Sequence, residues 1–469
     1  MLIRQRTLLI ALAVVACVAT LRLAVAAPSQ QAAPTCAWER LSSGGRASQN
    51  AMVRVPGVGA LTFGGVDLGN KTVSSDVRRF DRAANSWQVL AVGGSGPGKR
   101  SEPAAVLRGL ASNPEFVTYG GVDSLPKGGG TFTWQSPLLG AGAAGQGPLD
   151  ALAANSVQES THRLVADAAA PSWQGIGAAG QAPRTDHSAV WDPVADAMIV
   201  FGGRTDEDAQ SVTDELKRLT LGDSPAWQAL TPAGRRPSKR FGHSAVYDGA
   251  ASRMVVFGGT SDWKKGLDDV WVLELGGGWD KAVWKELKPT GTGPSGRFDH
   301  AAAYLPGIGW MIVFGGSPDG SRELSDIYAL DLVATAPKWI KLNPTGQKPP
   351  ALMGLAAIGL DDGTSALLQG GQNGEDAASQ TYRLACTAGA VPTATTGPIT
   401  DTPVPMDTST VVPSTDTPTP VPPTPPRWTP EPPTATVPPS ETPTTAPSAT
   451  ATTAPRPMIY LPRLAKNDA

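Results

Sequence analysis

The chain has 469 residues, and its 39 Lys plus Arg against 41 Asp plus Glu leave a formal net charge of −2. Such a balance offers no basic surface for nucleic acid, and three cysteines are too few for a disulfide-dense scaffold. The 53 glycines, 44 prolines and 13 tryptophans favour short strands joined by many turns over a helical protein.

Residues 1–27 have the order of features found in export signals. Two arginines precede an apolar run from Leu8 to Leu21, and small residues ending at Ala26 provide a cleavage site. We expect a cleaved secretory signal peptide, which predicts a secreted or cell-surface protein. Two alternatives stay open: an uncleaved anchor, and lipidation of Cys17 within an imperfect lipoprotein box.

A glycine doublet recurs six times after an apolar run, and the spacings are 56, 82, 56, 57 and 55 residues. The second interval therefore contains an insertion, which we place at about 122–160. Runs such as Met254 to Phe257 are continuously apolar, as in strands buried on both faces. The first glycines of the doublets are Gly64, Gly120, Gly202, Gly258, Gly315 and Gly370.

Each unit continues with an Asp-led strand and then a strand that begins with Trp. Four strands per unit and a period near 56 predict a radial repeat whose blades bury one another's faces. The tryptophans in register, which we expect in the blade core, are Trp87, Trp173, Trp227, Trp284 and Trp339. An arginine precedes the first strand in five units: Arg46, Arg100, Arg184, Arg240 and Arg297. Three units carry Arg-x-x-His, and we expect His187, His243 and His300 to be scaffold hydrogen-bond donors rather than metal ligands.

These residues resemble the kelch repeat, and the resemblance covers residues 36–386. It implies an all-β, six-bladed β-propeller of four-stranded blades. Three units depart from the pattern: the first has Gln49 where His is expected, the second carries the insertion, and the sixth lacks both the Arg and the closing Trp.

Trp38 matches the closing-strand pattern but lies before the first doublet. The N-terminal strand is therefore expected to complete the last blade. This arrangement would place Cys36 opposite Cys386 on antiparallel neighbours, about 5.5 Å apart at Cα, and so predicts a disulfide that fastens the ring. Two free thiols are the alternative.

The sequence divides the chain into a signal peptide (1–27), a short linker (28–35), the propeller (36–386) and a C-terminal region. Residues 391–455 contain 19 Pro and 20 Thr, too little apolar surface to fold, and are expected to form a disordered stalk. The tail over 456–469 is too short to span a bilayer.

Two sets of residues are candidates for ligand binding at the mouth of the channel. The arginine ring (Arg46, Arg100, Arg184, Arg240 and Arg297) could hold a carboxylate, because guanidinium groups bind such groups bidentately. The alternative is structural pairing with the acids that open the third strands: Asp76, Asp214, Asp269 and Asp326. Trp263, in the loop after one doublet, and Trp134, in the insertion, fall outside the Trp register and could contact a ligand.

No nucleophile motif, metal-ligand cluster or phosphate loop accompanies the repeats, so we predict no catalytic residue, no metal and no cofactor. The leading hypothesis is an exported, surface-displayed module that binds a protein or glycan and that is held to the cell wall by its stalk. Two alternatives are kept: a structural component of a surface layer, and an acidic-sugar isomerase or mutarotase. Such an enzyme would use Arg184, Arg240, Arg297, Glu207 and Glu323.

Overall fold

A computed structural model describes residues 35–387, except 46–47, 58, 68–69, 71, 110–113, 125–156, 166–170, 207–210 and 375. The described part is an all-β, six-bladed propeller with four main antiparallel strands in each blade, as the repeat predicted. The signal peptide, stalk and tail lie outside the described residues, as does most of the insertion. No helix within the described ranges has the length and apolar character that a membrane span requires.

The first three blades are continuous in sequence, and each runs outward from its first strand. Blade 1 contains Ala51–Val55, Gly59–Phe63, Val77–Asp81 and Ser86–Val89. Blade 2 contains Ala104–Arg108, Glu115–Tyr119, Thr161–Val165 and Ser172–Ile176, with Gly93–Gly94 added in parallel at its outer edge. Blade 3 contains Ser188–Asp192, Ala197–Phe201, Leu216–Thr220 and Ala226–Leu230. A two-stranded ribbon, Val66–Asp67 with Thr72–Val73, follows the first doublet.

Blades 4 and 5 repeat this order, and blade 6 takes its outer strand from the N-terminus. Blade 4 contains Ser244–Asp248, Arg253–Phe257, Val270–Glu274 and Val283–Leu287, with a 3-10 turn at Trp279–Lys281. Blade 5 contains Ala301–Leu305, Trp310–Phe314, Ile327–Asp331 and Lys338–Lys341. Blade 6 contains Met353–Gly359, Ser365–Asn373, Gln380–Thr387 and Thr35–Ser43. The short strand Thr345–Gly346 is added at its outer edge, and Asp376–Ala377 pairs with the end of Ser365–Asn373.

The N-terminal strand closes the ring as predicted. It pairs antiparallel with the strand Gln380–Thr387, and Cys36 lies directly opposite Cys386. The two cysteines form a disulfide across 350 residues of chain, and their Cα atoms are 4.1 Å apart. Trp38 lies opposite Leu384, just as Trp284 lies opposite Leu273 in blade 4, so Trp38 is the closing Trp of blade 6.

Apolar contacts between blades form the core. The second strand of a blade is buried on both faces, and its last aromatic residue meets the closing Trp of the next blade edge-on or tilted. The centroid distances are 5.1 Å for Phe201–Trp284, 5.2 Å for Phe257–Trp339 and 5.6 Å for Phe314–Trp38. At the junction of blades 6 and 1, Trp87 instead donates a hydrogen bond to Thr381 Oγ1 at 2.8 Å. Trp173, Trp227, Trp284 and Trp339 are therefore interblade core, as expected, whereas Trp87 is only partly buried.

The glycine doublets recur because two backbones meet there. Gly203 has φ of +89°, and a Cβ at this position would lie 2.5 Å from the Thr185 carbonyl oxygen and 2.8 Å from His187 Cβ. At the preceding position, a Cβ on Gly202 would lie 2.6 Å from the Arg240 carbonyl oxygen of the next blade. Only glycine fits such an approach, which explains why the doublet is the most regular signal in the sequence.

Candidate functional site

The repeat arginines of blades 4 and 5 are buried structural groups. Arg240 donates five hydrogen bonds, through Nη1 to the Gly258 carbonyl and Asp269 Oδ1, through Nη2 to Asp269 Oδ2 and Ser238 Oγ, and through Nε to the Ser238 carbonyl. Arg297 makes the same five contacts in blade 5, with Asp326 as its carboxylate. Both side chains are 0% exposed, and all five of their N–H groups are used inside the blade. Arg240 and Arg297 therefore pair with the acids that open the third strands, which was the structural alternative to ligand binding.

Blades 2 and 3 use variants of this arrangement. Arg184 donates to the Gly202 carbonyl at 2.8 Å and to Glu215 Oε2. The expected partner, Asp214, instead pairs with the exposed Arg236 at 2.9 Å. Glu215 is the structural equivalent of Asp269, because its carbonyl accepts a hydrogen bond from the first glycine of its own doublet, as the Asp269 carbonyl does.

In blade 2 the acid is replaced by a hydroxyl. Arg100 donates to Ser160 Oγ at 3.0 Å and to the Lys99 carbonyl at 2.7 Å. Burial lowers the pKa of the Arg100 guanidinium, and the Asp123 carboxylate opposes this shift. Arg100 is nevertheless turned into its own blade, like the arginines of blades 3 to 5.

Blade 1 departs in register. In blades 2 to 5, the residue directly after the repeat arginine forms a β-bridge with the residue after the glycine doublet, as Phe241 does with Thr260. In blade 1 the equivalent β-bridge joins Ser48 and Val66. The equivalent of Arg240 is therefore position 47, an alanine in the sequence, rather than Arg46. Positions 46 and 47 lie outside the described residues. In this blade Asp76 pairs with Arg78 at 3.0 Å, next to a polar cavity of about 520 Å³.

The repeat histidines join neighbouring blades. His243 Nε2 lies 2.8 Å from Ser188 Oγ, and His300 Nε2 lies 2.7 Å from Ser244 Oγ. Burial, followed by the charge of the preceding arginine, lowers the pKa of His243 and of His300 well below the ordinary value, and lowers the pKa of His187 to about 3. The three imidazoles are therefore neutral scaffold groups. The described residues contain no group of three or more His, Cys, Asp or Glu suited to holding a metal ion.

Six residues with left-handed backbone surround the propeller axis, one from each blade. Five hydrogen bonds link the peptide N–H of one of them to the carbonyl of a neighbour, at 2.7 to 3.1 Å. Between Glu102 and Asp186 the link runs through side chains, because Thr185 donates to Glu102 Oε2 at 2.7 Å and Arg204 contacts both carboxylates. The six axial residues are Gln49, Glu102, Asp186, Gly242, Asp299 and Gly354, with φ between +52° and +65°.

The axial residues and the histidines beside them line a cavity of about 140 Å³, which we call the axial cavity. Burial and the neighbouring Asp186 carboxylate raise the pKa of Asp299 to about 8, although the Arg204 guanidinium opposes the shift. Burial and Asp186 likewise raise the pKa of Glu102 well above its ordinary value. Carboxyl groups with raised pKa values at the mouth of a channel mark a candidate functional site.

An aromatic cluster adjoins the axial cavity. Trp263 is half-buried, has φ of +62°, and packs against Phe241 and Phe298 at centroid distances of 4.6 and 5.6 Å. The Arg204 guanidinium carbon lies 5.2 Å from the Phe241 ring centre and 5.4 Å from that of Trp263. A non-glycine residue held at positive φ by its neighbours is strained, and such strain is concentrated at binding surfaces.

The sequence-based candidates are therefore separated in space. Trp263 lies beside the axial cavity, whereas Arg184, Arg240 and Arg297 are turned into their blades. Glu323 accepts a hydrogen bond from the Gly374 backbone N–H at 2.8 Å. Arg46, Trp134 and Glu207 lie outside the described residues.

Sequence reasoning missed the axial residues, although a signal for them existed. The residue before each repeat His is Asp186, Gly242 or Asp299. Gly and Asp are residue types that tolerate positive φ more readily than most others. Their recurrence at one repeat position indicated a left-handed backbone there.

Comparisons with known proteins support the resemblance to the kelch repeat. Residues 153–371 match the family model described as the KLHDC2/KLHL20/DRC7 Kelch-repeats domain. Adagio-like protein 1 of Oryza sativa subsp. japonica is 31% identical over 318 residues, 63% of this chain and 47% of that protein. Adagio-like protein 3 of the same plant is 28% identical over 350 residues, 72% of this chain and 49% of that protein.

A third relative, Dynein regulatory complex subunit 7 of Chlamydomonas reinhardtii, is 33% identical over 137 residues, 29% of this chain and 11% of that protein. The chain spans about half the length of the two Adagio-like proteins and a smaller share of the third.

Proposed function

We propose that this propeller, which matches a Kelch-repeats family model over residues 153–371, is an exported, surface-displayed module that holds a protein ligand at the channel-mouth face. The observation that carries this proposal is the aromatic cluster of Trp263, Phe241 and Phe298 beside the open axial cavity. A fixed aromatic side chain next to a polar cavity is the arrangement of an interface hot spot, because little side-chain freedom is lost on binding.

Export is supported by the leader over residues 1–27 and by the pairing of Cys36 with Cys386. Disulfides persist in oxidising compartments outside the cytosol. The Thr/Pro-rich segment over 391–455 would then hold the propeller away from the cell wall. N-terminal sequencing and mass analysis of the protein from its host test this step. Cleavage near Ala26 supports a secretory signal peptide, a lipidated Cys17 would indicate an exported lipoprotein instead, and an intact N-terminus would indicate an uncleaved anchor.

The binding face is tested by photo-crosslinking on the full chain. A photo-reactive amino acid at Lys264, exposed beside Trp263, should capture one discrete partner from the surface of cells. Val194 is the matched control, because it is 83% exposed in the turn between the first and second strands of blade 3, at the end of the blade away from the channel mouth. Capture that is lost with Trp263→Ala supports the proposal, and equal capture at both positions contradicts it.

Other readings give distinct results in the same experiment. A partner that is retained only while its sugars are intact indicates a glycan ligand. A second copy of the chain as the captured species indicates a surface-layer component. The geometry does not favour an isomerase that uses the repeat arginines, since every N–H of Arg240 and Arg297 is already bonded within its blade.

A further inference from the structure

The axial cavity and its immediate surroundings contain more acidic than basic side chains. Three carboxylates, those of Glu102, Asp186 and Asp299, lie there with the guanidinium of Arg204. The other titratable groups in the lining are the three repeat histidines, which are neutral because burial lowers their pKa values. With all three acids ionised, this group therefore carries two uncompensated negative charges.

Arg204 is an example of a guanidinium group bound beside the axial cavity. Its Nε donates to Asp186 Oδ2 at 2.8 Å, its Nη2 contacts the same carboxylate, and Nη2 lies 3.6 Å from Glu102 Oε2. Its planar face lies over the rings of Phe241 and Trp263. Carboxylates on one side and aromatic faces on the other are what a buried guanidinium needs.

Asp299 remains without such a partner. Its backbone N–H and carbonyl take part in the axial ring, but its carboxylate has no hydrogen bond or ion pair with any residue that the structure describes. Arg204 acts on Asp299 only through its charge, which opposes the raised pKa. The Asp299 carboxylate therefore lines the cavity with acceptor capacity that no described residue uses.

Five side chains in the cavity wall have buried polar atoms that lack a hydrogen-bond partner among the described residues: Gln49, Asn50, His187, His243 and His300. Asn50 and His187 are each 8% exposed and line the cavity. Asn50 Oδ1 and both ring nitrogens of His187 lack a hydrogen-bond partner in the described part of the chain. The wall therefore offers unused acceptors, and buried acceptors without donors are uncommon in folded proteins.

We propose that the axial cavity receives an arginine or lysine side chain of the bound protein, with the Asp299 carboxylate as its ion-pair partner and Glu102 as a second acceptor. The inference rests on the proposed protein-binding function and names the chemistry that the face selects. A cavity of about 150 Å³ holds a benzene-sized guest, so 140 Å³ accommodates a guanidinium and part of its stem.

The direct test uses the full chain and N-acetylarginine amide as the probe, with N-acetylcitrulline amide as its neutral isostere. We expect calorimetric titration to give a dissociation constant of about 1 mM for the arginine amide and at least tenfold weaker binding for the citrulline amide. Equal binding of the two amides overturns the inference, because it removes the role of charge.

Asp299→Asn should weaken binding of the arginine amide at least tenfold, because it removes the charge and keeps the shape. Asp319→Asn is the matched control: Asp319 is a partly exposed acid in the loop after the blade 5 doublet and accepts hydrogen bonds from Ser321. Unchanged binding in Asp299→Asn, with melting like wild type, contradicts the assignment.

The pH dependence tests the same group without a substitution. A cation binds the ionised carboxylate, so affinity should rise as pH increases through about 8, the pKa of Asp299. Glu102, whose pKa is also raised, titrates in the same direction, whereas the neutral histidines do not change charge in this range. Affinity that is constant between about pH 6 and pH 9 overturns the inference.

Crosslinking at Lys264 distinguishes this inference from the proposed function. Capture of the partner that persists in Asp299→Asn, with no binding of the amide, leaves the function and overturns the cation site. Asp299-dependent binding of the amide without capture of any partner supports the cation site and overturns the function.

Discussion

His243 Nε2 lies 2.8 Å from Ser188 Oγ, so a histidine of blade 4 is bonded to the first strand of blade 3. The same bond joins His300 to Ser244. His187 has no such partner, because the equivalent residue in blade 2 is Ala104, which begins its first strand as Ser188 and Ser244 do. The repeat histidine thus connects neighbouring blades through Nε2 at two junctions, and the junction at His187 lacks this bond.

Ala104→Ser should stabilise the propeller by providing the missing hydroxyl for His187. A buried hydrogen bond contributes about 0.5 to 1.5 kcal/mol, so the urea midpoint should rise. Ser188→Ala removes the existing partner of His243. It should lower the free energy of unfolding by about 1 to 3 kcal/mol, and the urea midpoint with it. If Ala104→Ser and Ser188→Ala shift the urea midpoint in the same direction, the histidines do not act as connectors between blades.

Arg240→Met should cost about 3 to 5 kcal/mol of unfolding free energy, because it leaves the Asp269 carboxylate without its buried partner. Arg236→Met is the comparison, since Arg236 pairs with Asp214 at 2.9 Å but is 62% exposed. An exposed pair contributes about 0 to 1 kcal/mol. Chemical denaturation of both variants measures the difference, and similar costs would mean that burial is not what makes the repeat arginine important.

Stability should fall as the solution is made acidic, in part through His187. Its pKa is lowered to about 3 in the folded chain, so between about 6.5 and 3 the unfolded chain binds one more proton at this residue. The free energy of unfolding therefore decreases by about 1.4 kcal/mol per pH unit for this group as pH falls through that range.

His187→Gln should reduce the slope of unfolding free energy against pH by that amount, whatever its effect on absolute stability. The slope of wild type measured in the same buffers is the control. Parallel curves for wild type and variant would show that His187 is not held neutral.

Reduction of Cys36–Cys386 should destabilise the propeller by about 2 to 4 kcal/mol, because the bridge closes a separation of 350 residues. Differential scanning calorimetry with and without a reductant measures the loss. The Cys36→Ser, Cys386→Ser double variant should match the reduced wild type and be insensitive to reductant. Persistence of a reductant effect in that variant would point to a different thiol.

Gly203→Ala should be more damaging than Gly57→Ala, although both glycines have positive φ, +89° and +72°. At Gly57 a Cβ meets nothing within 4 Å, so only backbone strain of about 1 to 2 kcal/mol is expected. At Gly203 the clash with the Thr185 carbonyl adds about 1 to 3 kcal/mol. Thermal melts compare the two, and equal losses would show that φ alone accounts for the doublet.

The repeat pattern predicted the blades well because its causes are local. An apolar run followed by two glycines predicts a strand buried on both faces that ends at a close backbone approach. Trp38 showed that the N-terminus supplies the last strand, and this register placed Cys36 opposite Cys386.

The sequence could not decide what the polar repeat residues face. Counting 18 residues back from each doublet selected Arg46, but the pairing of Ser48 with Val66 shows that the blade 1 hairpin is one residue shorter. Asp214 was the expected partner of Arg184, yet neighbouring residues of an extended strand point in opposite directions, and Glu215 is the residue that faces the guanidinium.

By itself the sequence determined the repeat, the number of blades and the closing strand, because each is written in periodic local patterns. Only the tertiary structure decided the axial site. Glu102, Asp186 and Asp299 come from three different blades and become neighbours when the ring closes. The pKa values of Glu102 and Asp299 are raised by burial and by the neighbouring Asp186 carboxylate, an environment that exists only once the blades are assembled around the axis.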